Sequence, residues 1–229
     1  MIRSEVDDGV TLVTLDRPSR RNALTPEGLD ALAAAVDDAD TPVVYLTGTG
    51  GAFSAGADFS VVADLDREGA KEFARHGQRV ARTIETAESV VVAGIDGPAR
   101  GGGVELALAC DIRVATPEAT FAETGVALGL FGAWGGTVRL PRVLGEGEAM
   151  DLALSGRVVD ADEALRMGLV SRVVDDPRTV AVEVAANEPD ALTVLKRRMR
   201  DDAKREVQES REAAVFADLV EEHADDLPS

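Results

Sequence analysis

Three consecutive glycines, Gly101, Gly102 and Gly103, open an apolar run that continues to Cys110. Glycine is a poor helix former, so three of them at the start of a helix ask for a reason. Without a Cβ the backbone can approach a ligand closely, and the free N–H groups of a first helical turn point outward. The helix adds roughly half a positive charge at that end. Such an end suits a phosphate, or an oxygen that becomes negative during a reaction; tight helix–strand packing would use the same glycines. No Lys-Ser/Thr pair follows, which excludes a phosphate loop, and GxGxxG is absent. Glu105 comes three residues after Gly102, close to one helical turn, so its carboxylate could reach the same end. An acid there is ordinarily a partner of the helix dipole. In a water-poor pocket it could instead act as a general acid or base.

The elements around these residues alternate between strand and helix. Residues 11–15 read as a strand. Residues 26–36 read as a helix, with Thr25 as N-cap and Pro26 at its first position. Residues 42–47 (PVVYLT) and 89–95 (SVVVAGI) are apolar enough to be buried strands. Residues 69–88 carry a helical stripe of Phe73, Val80, Ile84 and Ala87. A helix over residues 103–110 and a strand over 111–115 follow, then helices from Ala133 onward with a strand at 169–174. Valine-rich strands between helices indicate an α/β fold with a mostly parallel sheet buried on both faces. A loose repeat is superimposed on this. PVVYLTGTGGAFSAGAD runs strand, glycine-rich loop, then an abrupt turn at Gly56, and SVVVAGIDGPARGGGVEL does the same 45 residues later, counted from Ala57 to Gly102. Each unit delivers bare backbone at the end of a buried strand, where parallel α/β sheets place ligands.

The 229 residues suit one α/β domain with a helical appendage. No run of 18 apolar residues and no basic-then-apolar leader is present, so neither a spanning helix nor a secretion signal is expected. The single cysteine, Cys110, cannot form an internal disulfide, and a cytoplasmic protein is expected. The net charge is −18; three lysines, Lys71, Lys196 and Lys204, leave 21 of the 24 basic residues as arginines. Acidic pairs such as Asp37-Asp38, Asp175-Asp176, Asp201-Asp202 and Asp225-Asp226 are spread along the chain. Such a surface repels nucleic acid and anionic lipid. It fits a high-salt cytoplasm, where salt screens self-repulsion, as well as an ordinary acidic surface. His76 and His223 lack metal-ligand spacing and read as surface residues, so no metal is expected, and no Ser-His-Asp arrangement is suggested.

Several segments together carry a resemblance. GGGVELALACDIRVA resembles the most distinctive stretch of the crotonase (enoyl-CoA hydratase/isomerase) family. AFSAGAD is similar to that family's other oxyanion-hole segment, and LDRPSRRNAL to its N-terminal box. GGTVRLPRVLG and ALSGRVVDADEALRMGLVSRVV are similar to its downstream helices, and the matches run in order over about residues 11–175. The resemblance implies a spiral of ββα units with a C-terminal helical region that builds trimers or dimers of trimers. On that basis residues 1–175 form the core with an acyl-CoA site, and residues 176–229 a helical region shortened by the family's last helix. It also implies an acyl-CoA thioester as substrate, with no separate cofactor; taken with the acidic composition, a haloarchaeal member of the family is expected. Ala57 and Gly102 match the two oxyanion donors, flanked by Ala55 and Gly101. Asp58, Phe59 and Ser60 match the stretch that lines the coenzyme A site. Arg17, Arg20 and Arg21 could meet its phosphates.

Glu105 matches the first of the two glutamates that the family's hydratases use. Gly125 falls where the second would be, and Glu123 lies two residues earlier. In an extended segment that offset displaces a side chain by about 6–7 Å. Glu123 is therefore read either as a relocated catalytic acid or as a structural residue with Thr124 as a cap. The expected activity is hydration of a 2-enoyl-CoA. Isomerisation, decarboxylation or thioester hydrolysis on the same scaffold, and acyl-CoA binding with little catalysis, are the alternatives.

Overall fold

The computed structural model describes residues 1–224. Asp225 and Asp226, named above among the acidic pairs, lie outside them. Six strands form the main sheet: β1 (Ile2–Asp7), β2 (Val10–Leu15), β3 (Val43–Gly48), β4 (Val90–Ile95), and, after the short β5 (Pro98–Arg100), β6 (Ile112–Ala115) and, last in the chain, β9 (Arg172–Val173). Their order is β1-β2-β3-β4-β6-β9, with only the first pair antiparallel. β1 was not expected from the sequence, because IRSEVD has no apolar alternation. Its pairing comes instead from a tight turn in which Asp8 and Gly9 both have positive φ, the hairpin geometry that suits right-handed twist. A second sheet runs β5-β7-β8, in which β7 (Thr120–Ala122) is parallel to β5 and antiparallel to β8 (Val159–Asp160). The expected strand over 169–174 is confined to β9, since Leu169 and Val170 are buried beside helix residues rather than paired in the sheet.

Side chains alternate along β3 and β4, so each face of the sheet has its own core. Val44, Leu46, Val91, Ala93 and Ile95 pack with helices α1 (Pro26–Asp37), α3 (Arg67–Thr86) and α4 (Gly102–Ala109). The four-residue α2 (Phe59–Val62) lies before α3. Val43, Tyr45, Val90 and Val92 pack on the other face with Val180 and Ala181 of α8 (Arg178–Ala185). Between these layers and the C-terminus run α5 (Gly136–Leu144), α6 (Glu146–Ser155) and α7 (Ala161–Arg166), followed after α8 by α9 (Pro189–Met199) and α10 (Arg205–His223). Thr25 caps α1 by accepting from the Gly28 N–H, and Asp66 caps α3 in the same way from Gly69, so both helix starts are fixed by short polar side chains. No helix among the described residues is long and apolar enough to cross a membrane.

Candidate active site

The ends of β3 and β4 lead into the two glycine-rich loops, and two isolated bridges join these loops to the rest of the fold. Leu24 bridges Ala57, and Ser54 bridges Ala99. In the first bridge the Leu24 N–H donates to the Gly56 carbonyl at 2.8 Å and the Asp58 N–H to the Leu24 carbonyl at 3.0 Å. The N–H of Ala57 therefore faces the opposite side, where it meets no acceptor among the described residues. Gly102 is the first residue of α4, and its N–H is likewise without a partner, as first-turn groups are. Gly56 joins the two segments. Its φ is +78°, and a Cβ on it would lie 2.6 Å from the Gly102 nitrogen and 2.8 Å from the Arg100 carbonyl oxygen. Only a glycine lets the two backbones touch here. Ser54 Oγ accepts from the Gly56 N–H at 3.1 Å and donates to the Asn22 carbonyl at 2.9 Å. Asn22, 1% exposed, spans the loop by donating Nδ2 to the carbonyls of Thr49 and Ala52. In the segment that also carries Arg17, Arg20 and Arg21, this buried amide is the part that shapes the loop.

Glu105 is 1% exposed on the first turn of α4. Its Oε1 accepts from the backbone N–H groups of Trp134 at 2.8 Å and Gly136 at 2.6 Å. Cβ atoms on Gly132 and Gly136 would each fall within 3 Å of the carboxyl group, so glycines form the cradle on two sides. Burial pushes the carboxyl up to about 7, against the pull of the Gly136 and Trp134 N–H groups and the Arg139 charge. The indole of Trp134, 3% exposed, lies over Gly102, where an added Cβ would come 2.5 Å from Cε3. It packs edge-on against Phe73, with ring centres 5.8 Å apart.

Glu123 follows β7 and is 5% exposed. Burial first, and the neighbouring Glu105 charge second, raise its carboxyl to about 8. Its Oε1 is buried without a hydrogen-bond partner. Thr124 is not a cap: residues 124–128 form a 3-10 turn whose N-cap position is Glu123 itself, and its side chain makes no capping bond. Glu123 lines a cavity of about 490 Å³ whose walls include Phe131, Leu140, Met150 and Leu154. Gly132 and Gly136 are shared between this cavity and the Glu105 cradle.

Arg17 Nη1 is held by Asp58 Oδ2 at 2.5 Å and by the Ala23 carbonyl at 3.1 Å. Asp58 also caps α2, accepting from the N–H and hydroxyl of Ser60; Ser60 and then Arg17 hold its carboxyl down at about 2. Arg20 and Arg21 are exposed, as is Phe59, while Ala55 and Gly101 are partly buried beside the two loops. The Ala55 N–H is spent on the Arg21 carbonyl and that of Gly101 on the Ala122 carbonyl. Thus neither competes with Ala57 or Gly102 as a free donor. Asp190 of α9 and the adjacent Glu222 and His223 of α10 bring single ligand atoms within 4.8 Å of one another on the surface.

Two free N–H groups converging beside a buried carboxyl are an enolate-stabilising arrangement. The model of the enoyl-CoA hydratase/isomerase family matches residues 5–225. The chain belongs to this family. It is 40% identical over 163 residues to a crotonyl-CoA hydratase of Syntrophomonas wolfei, covering 69% of this chain and 63% of the relative. A short-chain-enoyl-CoA hydratase of Clostridium acetobutylicum is 36% identical, over 69% of this chain and 62% of that one. The matched segment thus spans about three fifths of these relatives' length. The crystal structure of an enoyl-CoA hydratase from Thermoplasma volcanium superposes with a TM-score of 0.89 at 33% identity, covering 96% of this chain and 91% of that one. In this member of the crotonase family the α/β core and the helical C-terminal part resemble those of its solved relatives over nearly the whole chain.

Among the residues singled out from sequence, the fold brings Ala57, Gly102, Glu105 and Glu123 to one region, and it ties Arg17, Asp58 and Ser60 to one another. Trp134, Gly132, Gly136 and Asn22 were not foreseen. The first three sit in GAWGG, whose excess of glycine was the available signal.

Proposed function

We propose that this protein adds water across the 2,3-double bond of an acyl-CoA thioester. The observation that carries the reading is the pair of buried carboxyl groups, Glu105 and Glu123, beside the unpartnered N–H groups of Ala57 and Gly102. The thioester carbonyl oxygen would accept from both N–H groups. Loss of one such donor typically costs roughly 3 kcal/mol of transition-state stabilisation. Glu105 accepts two backbone hydrogen bonds that favour its charged form, and Glu123 accepts none at Oε1. The environments therefore divide the roles: Glu105 is the base and Glu123 the neutral acid. Water loses a proton to Glu105 as its oxygen bonds to C3, the C2–C3 π electrons move into the enolate, and C2 then takes the proton of Glu123. Proton exchange between the two carboxyls and solvent restores the starting state.

The apolar cavity against Glu123 supplies room for the acyl chain. Asp58, Phe59, Ser60, Ala55 and Gly101 would border the coenzyme A moiety, with Arg20 and Arg21 free to meet its phosphates. Arg17 would act there through Asp58, which already holds it. Within this reading residues 1–175 are the acyl-CoA-binding core and 176–229 the helical region. Exposed Leu195, Met199 and Phe216 on α9 and α10 support assembly into a trimer or a dimer of trimers. A role in fatty acid metabolism would follow from the enoyl-CoA reaction, and a salt-rich cytoplasm accords with the acidic composition.

The test is to mix the purified protein, in high salt, with short and medium 2-enoyl-CoA thioesters and follow loss of the conjugated absorbance and the product mass. Glu105→Gln and Glu123→Gln are each expected to lower kcat by about 10²-fold or more. Tight coenzyme A binding with no turnover would overturn the reading in favour of a binding protein, and a product with a shifted double bond would make it an isomerase.

A further inference from the structure

The turn that holds Glu105 is itself held from behind. A Cβ on Gly135 would lie 2.1 Å from Nη1 of Arg139, so the guanidinium lies across the backbone between the two N–H donors. Arg139 Nη1 donates to the Trp134 carbonyl at 3.3 Å, and Nη2 to Glu85 Oε2 at 2.5 Å. Glu85 is shared: its Oε1 pairs with Arg200 Nη1 at 3.0 Å. Arg200, just beyond α9, donates Nη2 to Asp111 Oδ1 at 2.8 Å and to the carbonyl of Ala109 at 3.1 Å. Ala109 is the last residue of α4, the helix that carries Glu105. Lys196 of α9, 8% exposed, grips the other oxygen of Asp111 at 2.9 Å and the Ser89 carbonyl at 2.7 Å. A continuous chain of charges thus runs from α9 through Arg200, Glu85 and Arg139 to the turn on which Glu105 rests, and α9 also fastens the far end of the Glu105 helix.

We infer that Arg139 is a positioning residue for Glu105, and that the seating of α9 on Glu85 through Arg200 sets how firmly it does so. The inference takes Glu105 as the proton-transfer group of the reading above. Geometrically, the Trp134 and Gly136 N–H groups can point at one carboxylate oxygen only while the intervening glycine is pinned, and Arg139 is the side chain that pins it. Electrostatically, the Arg139 charge of α5 acts on Glu105, and the Glu105 charge acts on Glu123 beyond β7, so the two carboxylates repel one another. Arg139 favours the carboxylate and Glu123, when ionised, opposes it, so removing Arg139 leaves the unfavourable neighbour alone. Glu85 keeps the guanidinium from swinging out to solvent, and Arg200 keeps Glu85 in place. Three members of this network are more than four-fifths buried, with Arg139, Asp111 and Lys196 side chains 11%, 13% and 6% exposed, where charge interactions are least screened.

The experiment follows the titration of Glu105 in the substrate-free full chain through its carboxyl band in infrared difference spectra, assigned with Glu105→Gln and Glu123→Gln. Steady-state kcat and KM are read in parallel. Arg139→Gln is expected to raise the Glu105 midpoint by roughly one pH unit and to lower kcat about tenfold, with KM moving less than twofold. Arg139→Lys should return the midpoint but not kcat, because it restores the charge without the two-point grip. Arg200→Gln should shift both in the same direction by a smaller amount. A folded Arg139→Gln protein, checked by its melting curve, with an unchanged Glu105 midpoint would overturn the inference. If Arg139→Gln does not fold, Arg200→Gln decides, and an unchanged midpoint and kcat there would overturn it. The infrared titration needs no substrate, so a midpoint shift in a protein that hydrates nothing would sink the hydratase reading and leave the positioning role standing.

Discussion

A carboxyl oxygen buried without a hydrogen-bond partner is a cost to the fold, and Oε1 of Glu123 is such an atom. Its folded-state pKa of about 8, and that of Glu105 of about 7, lie above the value of 4.5 in an unfolded chain. The native state therefore binds these protons more tightly than the unfolded state. Their contribution to stability is full below pH 4.5 and is lost as the pH rises through about 7 and 8, at up to about 1.4 kcal/mol per pH unit for each proton. Asp58 runs the other way: held down by Ser60 and Arg17, it stabilises above pH 3.8 and loses that contribution as the pH falls toward 2. Melting temperature should thus fall between pH 5 and 8, and Glu123→Gln should flatten the fall while lowering kcat. A parent-like slope in that variant would show that Glu123 is not the buried acid responsible. Glu105 was legible in the sequence, because a glycine-rich helix start with an acid one turn later has few uses. The proximity of Glu123 was not. An offset of about 6–7 Å holds for an extended segment, whereas the chain turns into a 3-10 helix directly after Glu123, whose carboxyl lies within reach of the Glu105 charge.

At the level of elements, the two loops work because each ends a buried strand and because nothing larger than a hydrogen stands between them. Gly56→Ala tests this. The new methyl group would press on the Gly102 nitrogen and on the Arg100 carbonyl, both backbone atoms that cannot rotate away, at a residue whose φ is +78°. The strained φ alone is expected to cost roughly 1 kcal/mol or more. Separation of the loops should also move Trp134, which rests on Gly102 and is the chain's single tryptophan. Its emission should respond to an acyl-CoA thioester in the parent and respond weakly in Gly56→Ala; an equal response in both would mean that the two loops are not coupled through Gly56. The strands β3 and β4 and helices α1, α3 and α4 were readable because valine runs and a 3.6-residue stripe state their burial directly. β1 was not, since its residues are exposed and its place is set by the Asp8-Gly9 turn. The two- and three-residue strands of the second sheet are too short for any period to show, and they form only because the spiral returns the chain past β7.

For the whole molecule the dominant quantity is the net charge of −18. Ion pairs such as Arg79–Glu72, Arg197–Glu88 and Arg172–Glu183 lie in solvent and contribute little individually. They cannot offset 42 acidic residues against 24 basic ones, so the compact state carries self-repulsion that salt should relieve. Melting temperature is therefore expected to rise between about 0.05 M and 1 M potassium chloride, over which the screening length falls from more than 10 Å to about 3 Å. Repulsion and the buried acids both make the protein less stable as the pH rises, yet they separate cleanly. Surface repulsion is screened at 1 M salt, whereas Glu105 and Glu123 are shielded from ions by their burial. The pH slope remaining in 1 M salt should accordingly belong to the two buried carboxyls and disappear on going to the Glu105→Gln, Glu123→Gln double variant. The salt-induced rise should survive that double substitution, because it touches no surface charge. A melting temperature indifferent to salt would overturn the self-repulsion account, and with it the argument that this surface is suited to a salt-rich interior.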